Sequence, residues 1–481
     1  MKLKVLIKGL SELDVKGSKE IEITGISSDS RTVAPGNLFI AKRGKVHDGS
    51  QFIEQAAASG AAAIMTDFYD PFLKKTQLIA KDPSFWEAEL AARYYHFPSQ
   101  ELFVVGVTGT KGKTTTTYLI QHLLNGLNKK CGLVGTVETI IGDHKFSSSL
   151  TTHDVVYNQK MLREMVLKGC EAVAFEVSSH GLIQGRVDQI DFDLAVFTNL
   201  YPDHLDYHQT MEEYAVAKKR LFTKSEKIIL NRDSPWSDFM KGEKEALTFG
   251  IENKADIQAS EIHFENNKTT FWVEFQGKRQ KFTSALIGHF NVYNLLAAIS
   301  VGIQLGETLE KISSVLSSFA SVPGRLQLAG QMKGIKVFVD HAHTEEALEA
   351  ALQALRTISD KKLIVVFGCG GNRDPARRKG MARSAEKWAD LIFITNDNPR
   401  QEDPEEICRQ ILSGFQNSDK VLVELDRKEA IYQAISRAAS GDIVLVAGKG
   451  HEKLQIFAHQ TISFDDVVVV KEALDQLECG V

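Results

Sequence analysis

Leu102-Phe103-Val104-Val105-Gly106-Val107-Thr108-Gly109-Thr110-Lys111-Gly112-Lys113-Thr114 is the stretch on which the reading of this chain turns. Its first six residues form a continuous apolar run, the pattern of a parallel strand buried on both faces. A turn rich in glycine and threonine follows. Tyr118, Leu119, Leu123 and Leu124 then recur at helical spacing. Strand, glycine loop and helix in that order are the setting of a phosphate loop. Glycines let backbone N–H groups curl around phosphate oxygens, and the start of the helix adds its positive dipole. Lys113 is placed to neutralise β- and γ-phosphates, and Thr114 to offer a hydroxyl to Mg²⁺. Gly109, Thr110, Lys111, Gly112 and Thr115 complete the cradle. The strict motif G-x-x-x-x-G-K-[ST] is not met, because Val107 stands at its first glycine. The plain alternative is a glycine-rich turn with a chance Gly-Lys-Thr. The loop implies a nucleoside triphosphate and leaves the reaction open.

Outward from this stretch the chain alternates. Strand-like runs at 172–177, 194–197 and 227–230 are separated by helical patterns, which argues for a parallel α/β sheet. Residues 255–285 read as antiparallel hairpins. A further set of strands is expected at 337–339, 363–367, 391–394, 421–423 and 443–446, with helices at 345–355 and 428–439. Upstream, Glu20–Ile23 and Asn37–Ile40 read as strands and Phe52–Ala63 as a helix. Pro98 and Val322-Pro323-Gly324 read as boundaries. Three α/β domains are therefore expected, at 1–98, 99–322 and 323–481.

Composition narrows the class. The chain has 481 residues, 43% of them apolar and 25% charged, enough for several cores. Its net charge of −5, from 57 basic and 62 acidic residues, does not suggest a surface for nucleic acid. The five cysteines are scattered and contain no CxxC pair, so a disulfide framework and a zinc knuckle are not expected. No run reaches the ~18 apolar residues of a membrane span. A cytoplasmic protein with no nucleic-acid or membrane partner is expected, and composition alone names no activity.

Further segments resemble the Mur ligase and folylpolyglutamate synthetase superfamily. Thr108–Thr114 resembles its phosphate loop, with Lys111 where asparagine is commoner. Glu176-Val177-Ser178-Ser179-His180-Gly181 and Thr198–His208 resemble its two magnesium segments. Tyr214-Ala215-Val216-Ala217-Lys218 resembles the helix of its modified lysine. Gly288–Asn294 and Pro323-Gly324-Arg325 resemble ATP-side motifs. Asp340-His341-Ala342-His343 resembles Asp-Tyr-Ala-His, with histidine for tyrosine. Asp29-Ser30-Arg31, Gly368–Asp374 and Ala447–Glu452 favour the branch that adds a third residue to UDP-N-acetylmuramoyl-L-alanyl-D-glutamate.

The resemblance implies a monomeric acyl-phosphate ligase acting on small molecules, with ATP and Mg²⁺ as cofactors, a small N-terminal UDP-binding α/β domain, a central ATPase domain and a C-terminal Rossmann-like domain. Glu176 and His204 would hold Mg²⁺ with Thr114, and Lys218, carbamylated, would bridge a second ion. Asn291, Asn294, Arg325 and Asp340 would contact ATP. Ser30, Lys45, Val46 and His47 would contact the uridine end, and Thr151, Thr152, Ser178, Gln184 and Arg186 the muramyl-dipeptide. Arg373, Asp397, Asn398, Arg400, Gly448 and Glu452 would form the amino-acid pocket. Arg400 would mark meso-diaminopimelate, whose distal carboxylate suits an arginine fork that L-lysine cannot use. Taken by themselves, several of these residues have ordinary readings. Lys218 fits a solvated basic helix face, His204 a hydrogen-bonded loop, Ser178 a cap, Arg186 a surface ion pair and Asn398-Pro399 a turn. The alternatives carried forward are another diamino acid such as L-lysine, a folylpolyglutamate synthetase, a phosphate-loop switch or motor, and an inactive scaffold.

Overall fold

The computed structural model describes residues 1–43, 48–265 and 268–479. Lys45, Val46 and His47 lie outside the described residues. The chain divides into two compact units, Met1–Phe249 and Gly250–Val481.

The first unit opens with five strands, β1 (Asp14–Lys16), β2 (Gly25–Ser27), β3 (Asn37–Ile40), β4 (Ala63–Thr66) and β5 (Thr76–Ile79). Their order is β1-β5-β4-β3-β2, parallel except for β1. Glu20–Ile23 is not a strand. Its neighbourhood bonds instead to the first residues of the chain, with Leu3 donating to the Ile21 carbonyl at 2.9 Å and Ile23 to that of Met1 at 2.8 Å. Only a single bridge, Lys2 to Glu22, results. The helix expected over Phe52–Ala63 is Ile53–Ala58. It stops at Ser59-Gly60, where Gly60 takes φ +99°, and Ala63 already begins β4.

The second sheet is built from β6 (Phe103–Thr108), β7 (Cys131–Val134), β8 (Glu138–Ile141), β9 (His144–Ser147), β10 (Ala172–Glu176), β11 (Phe192–Phe197), β12 (Ser225–Asn231) and β13 (Ala246–Gly250). Their order is β13-β12-β11-β6-β10-β7-β8-β9. The strands from β13 to β7 are parallel, as their apolar runs require. β8 and β9 add an antiparallel edge that those runs did not announce. β6 lies between β10 and β11, so the loops leaving all three converge at one edge of the sheet.

In the second unit β14 (Ile257–Glu265), β15 (Lys268–Phe275) and β16 (Lys278–Ser284) form the expected antiparallel meander. Six strands follow: β17 (Gln327–Met332), β18 (Ile335–Asp340), β19 (Leu363–Phe367), β20 (Leu391–Ile394), β21 (Val421–Val423) and β22 (Ile443–Ala447). Their order is β17-β18-β22-β19-β20-β21, parallel except for β17. The helices Glu345–Arg356 and Arg427–Ser436 lie in this unit, the second ending three residues before the expected 439. A hairpin of β23 (Leu454–Ile456) and β24 (Thr461–Ser463) stands apart. Apolar side chains line both faces of the six-stranded sheet, which places the loops at its carboxyl edge and its core behind them. Among the described residues no helix is long and apolar enough to cross a membrane.

Candidate active site

The phosphate loop sits where the sequence places it, between β6 and the helix Lys113–Gly126. Gly112 caps this helix at φ +86°. Gly109 is required for space, because a Cβ there would lie 1.9 Å from Thr198 Oγ1. The segment after β11 clamps the loop from outside. Thr110 N–H donates to the Asn199 carbonyl and Lys111 N–H to Asn199 Oδ1, both at 2.9 Å. The Lys111 ammonium meets Asp203 at 3.3 Å. Lys113 folds back over the loop and donates to the Gly109 and Thr110 carbonyls at 2.9 and 3.0 Å. An ammonium in that position lies over the cradle that a phosphate would fill.

Glu176 ends β10 directly beside this loop and is fully buried. Its carboxylate accepts from the Thr114 hydroxyl at 3.1 Å and from the Thr136 backbone and hydroxyl, each at 2.9 Å. Thr136, which the sequence reading passed over, continues to Thr151 at 3.0 Å. The Thr152 hydroxyl then binds the Glu176 carbonyl and receives Ser178 N–H, both at 2.9 Å. Ser178 caps the short helix Ser179–Ile183. Arg186 donates to the Thr152 carbonyl at 2.6 Å and to Gln184 at 2.7 Å. Thr151, Thr152, Ser178, Gln184 and Arg186 are thus one contiguous group next to the phosphate loop, although they span 36 positions of sequence. His153 occupies a separate corner, bonded to Ser148 at 2.7 Å and stacked on Tyr157.

Lys218 lies on the inner face of the helix Met211–Lys224, which Thr210 caps. It is 1% exposed and donates to the Gly109 carbonyl at 2.9 Å. Its ammonium stands 4.5 Å from the centre of the Tyr214 ring. Burial, reinforced by the charge of Lys113 and opposed by Asp203, holds its pKa well below the ordinary lysine value. Neighbouring Lys219 points elsewhere, over Phe239. The solvated-face reading therefore fits Lys219 and fails for Lys218. His204, in left-handed backbone at φ +54°, belongs to an aromatic cluster with His180, Tyr207 and Tyr214. Desolvation lowers its pKa, against Asp203 and with Lys113 and Lys218. The same cause takes His180 down to about 4.

Thr114 and Glu176 supply hard oxygen donors on a phosphate loop, a set that fits Mg²⁺. Among the described residues, no three His, Cys, Asp or Glu side chains already stand in metal-holding geometry. Ser30 is buried at the start of the 3-10 turn Ser30–Thr32 and donates to Gln55 at 2.9 Å.

In the second unit Asn291 and Asn294 are buried at the start of the helix His289–Gln304 and bond to each other at 3.0 Å. Burial raises the Asp340 carboxyl to about 6, with the Arg325 charge opposing. His341 bonds through Nδ1 to the Lys449 carbonyl at 3.0 Å.

The carboxyl ends of β19, β20 and β22 gather the expected pocket residues. Asn398 Nδ2 donates to Glu452 at 2.9 Å. Arg400 donates to the Gly371 carbonyl at 2.7 Å and itself takes φ +54°. Gly371 N–H returns a bond to the Asn398 carbonyl at 2.9 Å. Arg373 is exposed on the same corner. Asp397 is buried, and burial raises its pKa. Its Oδ2 has no hydrogen-bond partner among the described residues. Gly448 leaves room for that oxygen, because a Cβ there would come within 2.5 Å of it. Three buried cations behind the pocket escaped the sequence reading. Arg378 holds Glu402 at 2.8 Å, Arg427 holds Asp466 at 2.8 Å through two bonds, and Lys449 holds Asn398 at 3.1 Å. Nothing local in the sequence separates these from surface basic residues.

A phosphate loop on one α/β sheet and a cluster of charged and polar side chains at the carboxyl edge of another suit a nucleotide-dependent ligase, and comparison with known proteins places the chain in that class. Residues 22–94 match the Mur ligase family catalytic domain, 107–302 the Mur ligase middle domain and 324–450 the Mur ligase glutamate ligase domain. The chain belongs to the Mur ligase family. A curated relative from Chlamydia felis, named UDP-N-acetylmuramoyl-L-alanyl-D-glutamate–2,6-diaminopimelate ligase, is 43% identical over 98% of this chain and 99% of its own. A relative of the same name from Caldanaerobacter subterraneus is 39% identical over 99% of this chain and 100% of its own. A solved structure with that name superposes with a TM-score of 0.71 at 32% identity, covering 99% of both chains. The MurF ligase of Thermotoga maritima, solved with ADP, shares the fold at TM-score 0.66 and 22% identity, covering 95% of this chain and 98% of its own.

Proposed function

We propose that this protein is an ATP-dependent ligase that joins meso-diaminopimelate to the D-glutamate γ-carboxylate of UDP-N-acetylmuramoyl-L-alanyl-D-glutamate, a step of peptidoglycan precursor synthesis. The observation that carries the choice of amino acid is that Asn398 joins both charged groups, holding Glu452 directly and Arg400 through Gly371. An arginine fork suits the distal carboxylate, and a carboxylate suits an ammonium. L-Lysine would leave the arginine unmatched.

The substrate carboxylate oxygen attacks the γ-phosphorus of ATP, the bond to ADP breaks, and an acyl phosphate forms. The amine of diaminopimelate then attacks the acyl carbon, sheds a proton and expels inorganic phosphate. The first step brings anions together, so positive charge at the cradle is its main requirement. Lys113 supplies that charge from above the loop. Arg186 and Ser178 orient the muramyl-dipeptide, Ser30 and the 45–47 segment its uridine end, and Arg325, Asp340, Asn291 and Asn294 the ATP. Asp397, whose Oδ2 has no hydrogen-bond partner among the described residues, receives an ammonium of the incoming amino acid. Thr114, Glu176, His204 and carbamylated Lys218 would hold Mg²⁺, which screens the phosphate oxygens and keeps them in line. The neutral amine that burial favours at Lys218 is the form that reacts with CO₂. The reading includes three domains, at 1–98, 99–322 and 323–481, in a monomeric cytoplasmic enzyme.

Phosphate release with ATP, Mg²⁺ and the UDP-muramyl-dipeptide tests it, in parallel tubes containing meso-diaminopimelate, L-lysine or no amino acid. Release and a tripeptide mass with diaminopimelate alone are expected. Release with lysine alone would overturn the role given to Arg400. Silence in all tubes from folded, ATP-binding protein would favour a folate ligase or an inactive scaffold.

A further inference from the structure

We propose that Lys449 is a positioning residue for the incoming amino acid, its buried ammonium fixing the direction in which Asn398 and Glu452 face. The inference rests on the reading of this pocket as the diaminopimelate site. Gly448-Lys449-Gly450 follows β22, and Lys449 is 0% exposed.

A buried ammonium must spend its three donors on protein acceptors. Lys449 Nζ donates to the Leu454 carbonyl at 2.6 Å, to Asn398 Oδ1 at 3.1 Å and to Glu452 Oε2 at 3.4 Å. Asn398 Oδ1 also accepts Ile456 N–H at 3.0 Å. Two donors converge on that one oxygen. A flipped amide would set its NH₂ against an ammonium and an N–H, so only one orientation is allowed. Nδ2 must then donate to Glu452 Oε2, at 2.9 Å. Glu452 is thereby held at one oxygen while its side chain stays 37% exposed. The Asn398 carbonyl holds Gly371, and the Gly371 carbonyl holds Arg400, at 2.9 and 2.7 Å. A single chain of contacts thus runs from Lys449 to the groups facing the distal ammonium and the distal carboxylate.

Steady-state kinetics of Lys449→Met with the complete enzyme test the proposal. The KM for meso-diaminopimelate should rise about 10–100-fold, the size expected when charged hydrogen bonds behind a site are lost. The KM for ATP should stay within about twofold, since the three ammonium donors are spent on Leu454, Asn398 and Glu452. Preference for diaminopimelate over L-lysine should fall with it. A lysine that only braced the fold would lower the active fraction, hence kcat, and leave KM and preference where they were. That result overturns the proposal. If Lys449→Met does not fold, Lys449→Arg keeps the charge at a different reach, and a displaced diaminopimelate KM is again expected. An unchanged KM in Lys449→Arg would overturn it equally. Wild-type protein run alongside separates the two levels, because failure of the wild type to use diaminopimelate removes the pocket reading itself.

Discussion

Lys218 combines burial with a second cation nearby, and both disfavour its protonated form. In the window between its lowered folded pKa and the ordinary 10.5, the unfolded chain binds a proton that the folded chain does not. Stability contributed by this group therefore rises with pH through that window. In CO₂-free buffer at neutral pH, Lys218→Met should unfold at a temperature several degrees higher than wild type, while ligation is lost. The gap should close as the buffer approaches the ordinary lysine pKa. A lower unfolding temperature for the variant at neutral pH would contradict the sign. Arg400 acts at the same scale, on the substrate side. Removing its fork in Arg400→Ala should cost about 2–3 kcal/mol of binding, a rise of roughly 30–150-fold in the diaminopimelate KM. The KM for ATP, measured in the same assay, should barely move.

Between elements, the decisive contact is the pair Arg427–Asp466, with both side chains at 0% exposure. Arg427 also donates to the Ala447 carbonyl at 3.0 Å and to that of Asn396 at 3.4 Å. It thereby ties the end of β22 to the end of β20 across the intervening β19. Asp466→Ala leaves an arginine charge buried without its partner and should cost about 3–5 kcal/mol in denaturant unfolding. The double variant Arg427→Met/Asp466→Leu should recover most of that stability. Its diaminopimelate KM should nonetheless stay raised, because the two strand ends lose their tie. This tie also shows where the sequence was legible. Parallel strands such as Val104–Val107 and Leu363–Phe367 announce themselves by apolar runs, and the phosphate loop by glycines between strand and helix. Both are local signals. Glu20–Ile23 carried a strand's alternation, yet its backbone is claimed by Met1 and Leu3, from a distance no local pattern reports. Arg378, Arg427 and Lys449 failed for the same reason. A buried cation is identified by its acceptors, and for these three an acceptor lies 24, 39 and 51 residues away in sequence.

Over the whole molecule, acid should be the destabilising direction. His153, His180, His204, His208 and His341 all have pKa values lowered below 6.5, chiefly by burial. In the folded chain they stay neutral at a pH where the unfolded chain already protonates them. Stability from this set is present above the unfolded histidine pKa and is lost as pH falls through their folded values. Asp340, raised to about 6, and Asp193 and Asp397, which burial also raises, work the other way, since their folded forms take up a proton first. Three such carboxyls do not offset five imidazoles. The unfolding temperature should therefore drop between pH 7.5 and pH 5 in scanning calorimetry. His341 isolates one contribution, because it is enclosed by Arg325, His343 and His451, which all oppose its charge. His341→Tyr puts a group there that takes up no proton in this range. Its unfolding temperature should change less between the two pH values than that of wild type, whatever the loss of the bond to the Lys449 carbonyl does to both readings. An equal or steeper drop in the variant would show that His341 is not among the groups that set the acid limit, and that the remaining four histidines, all in the first unit, carry it.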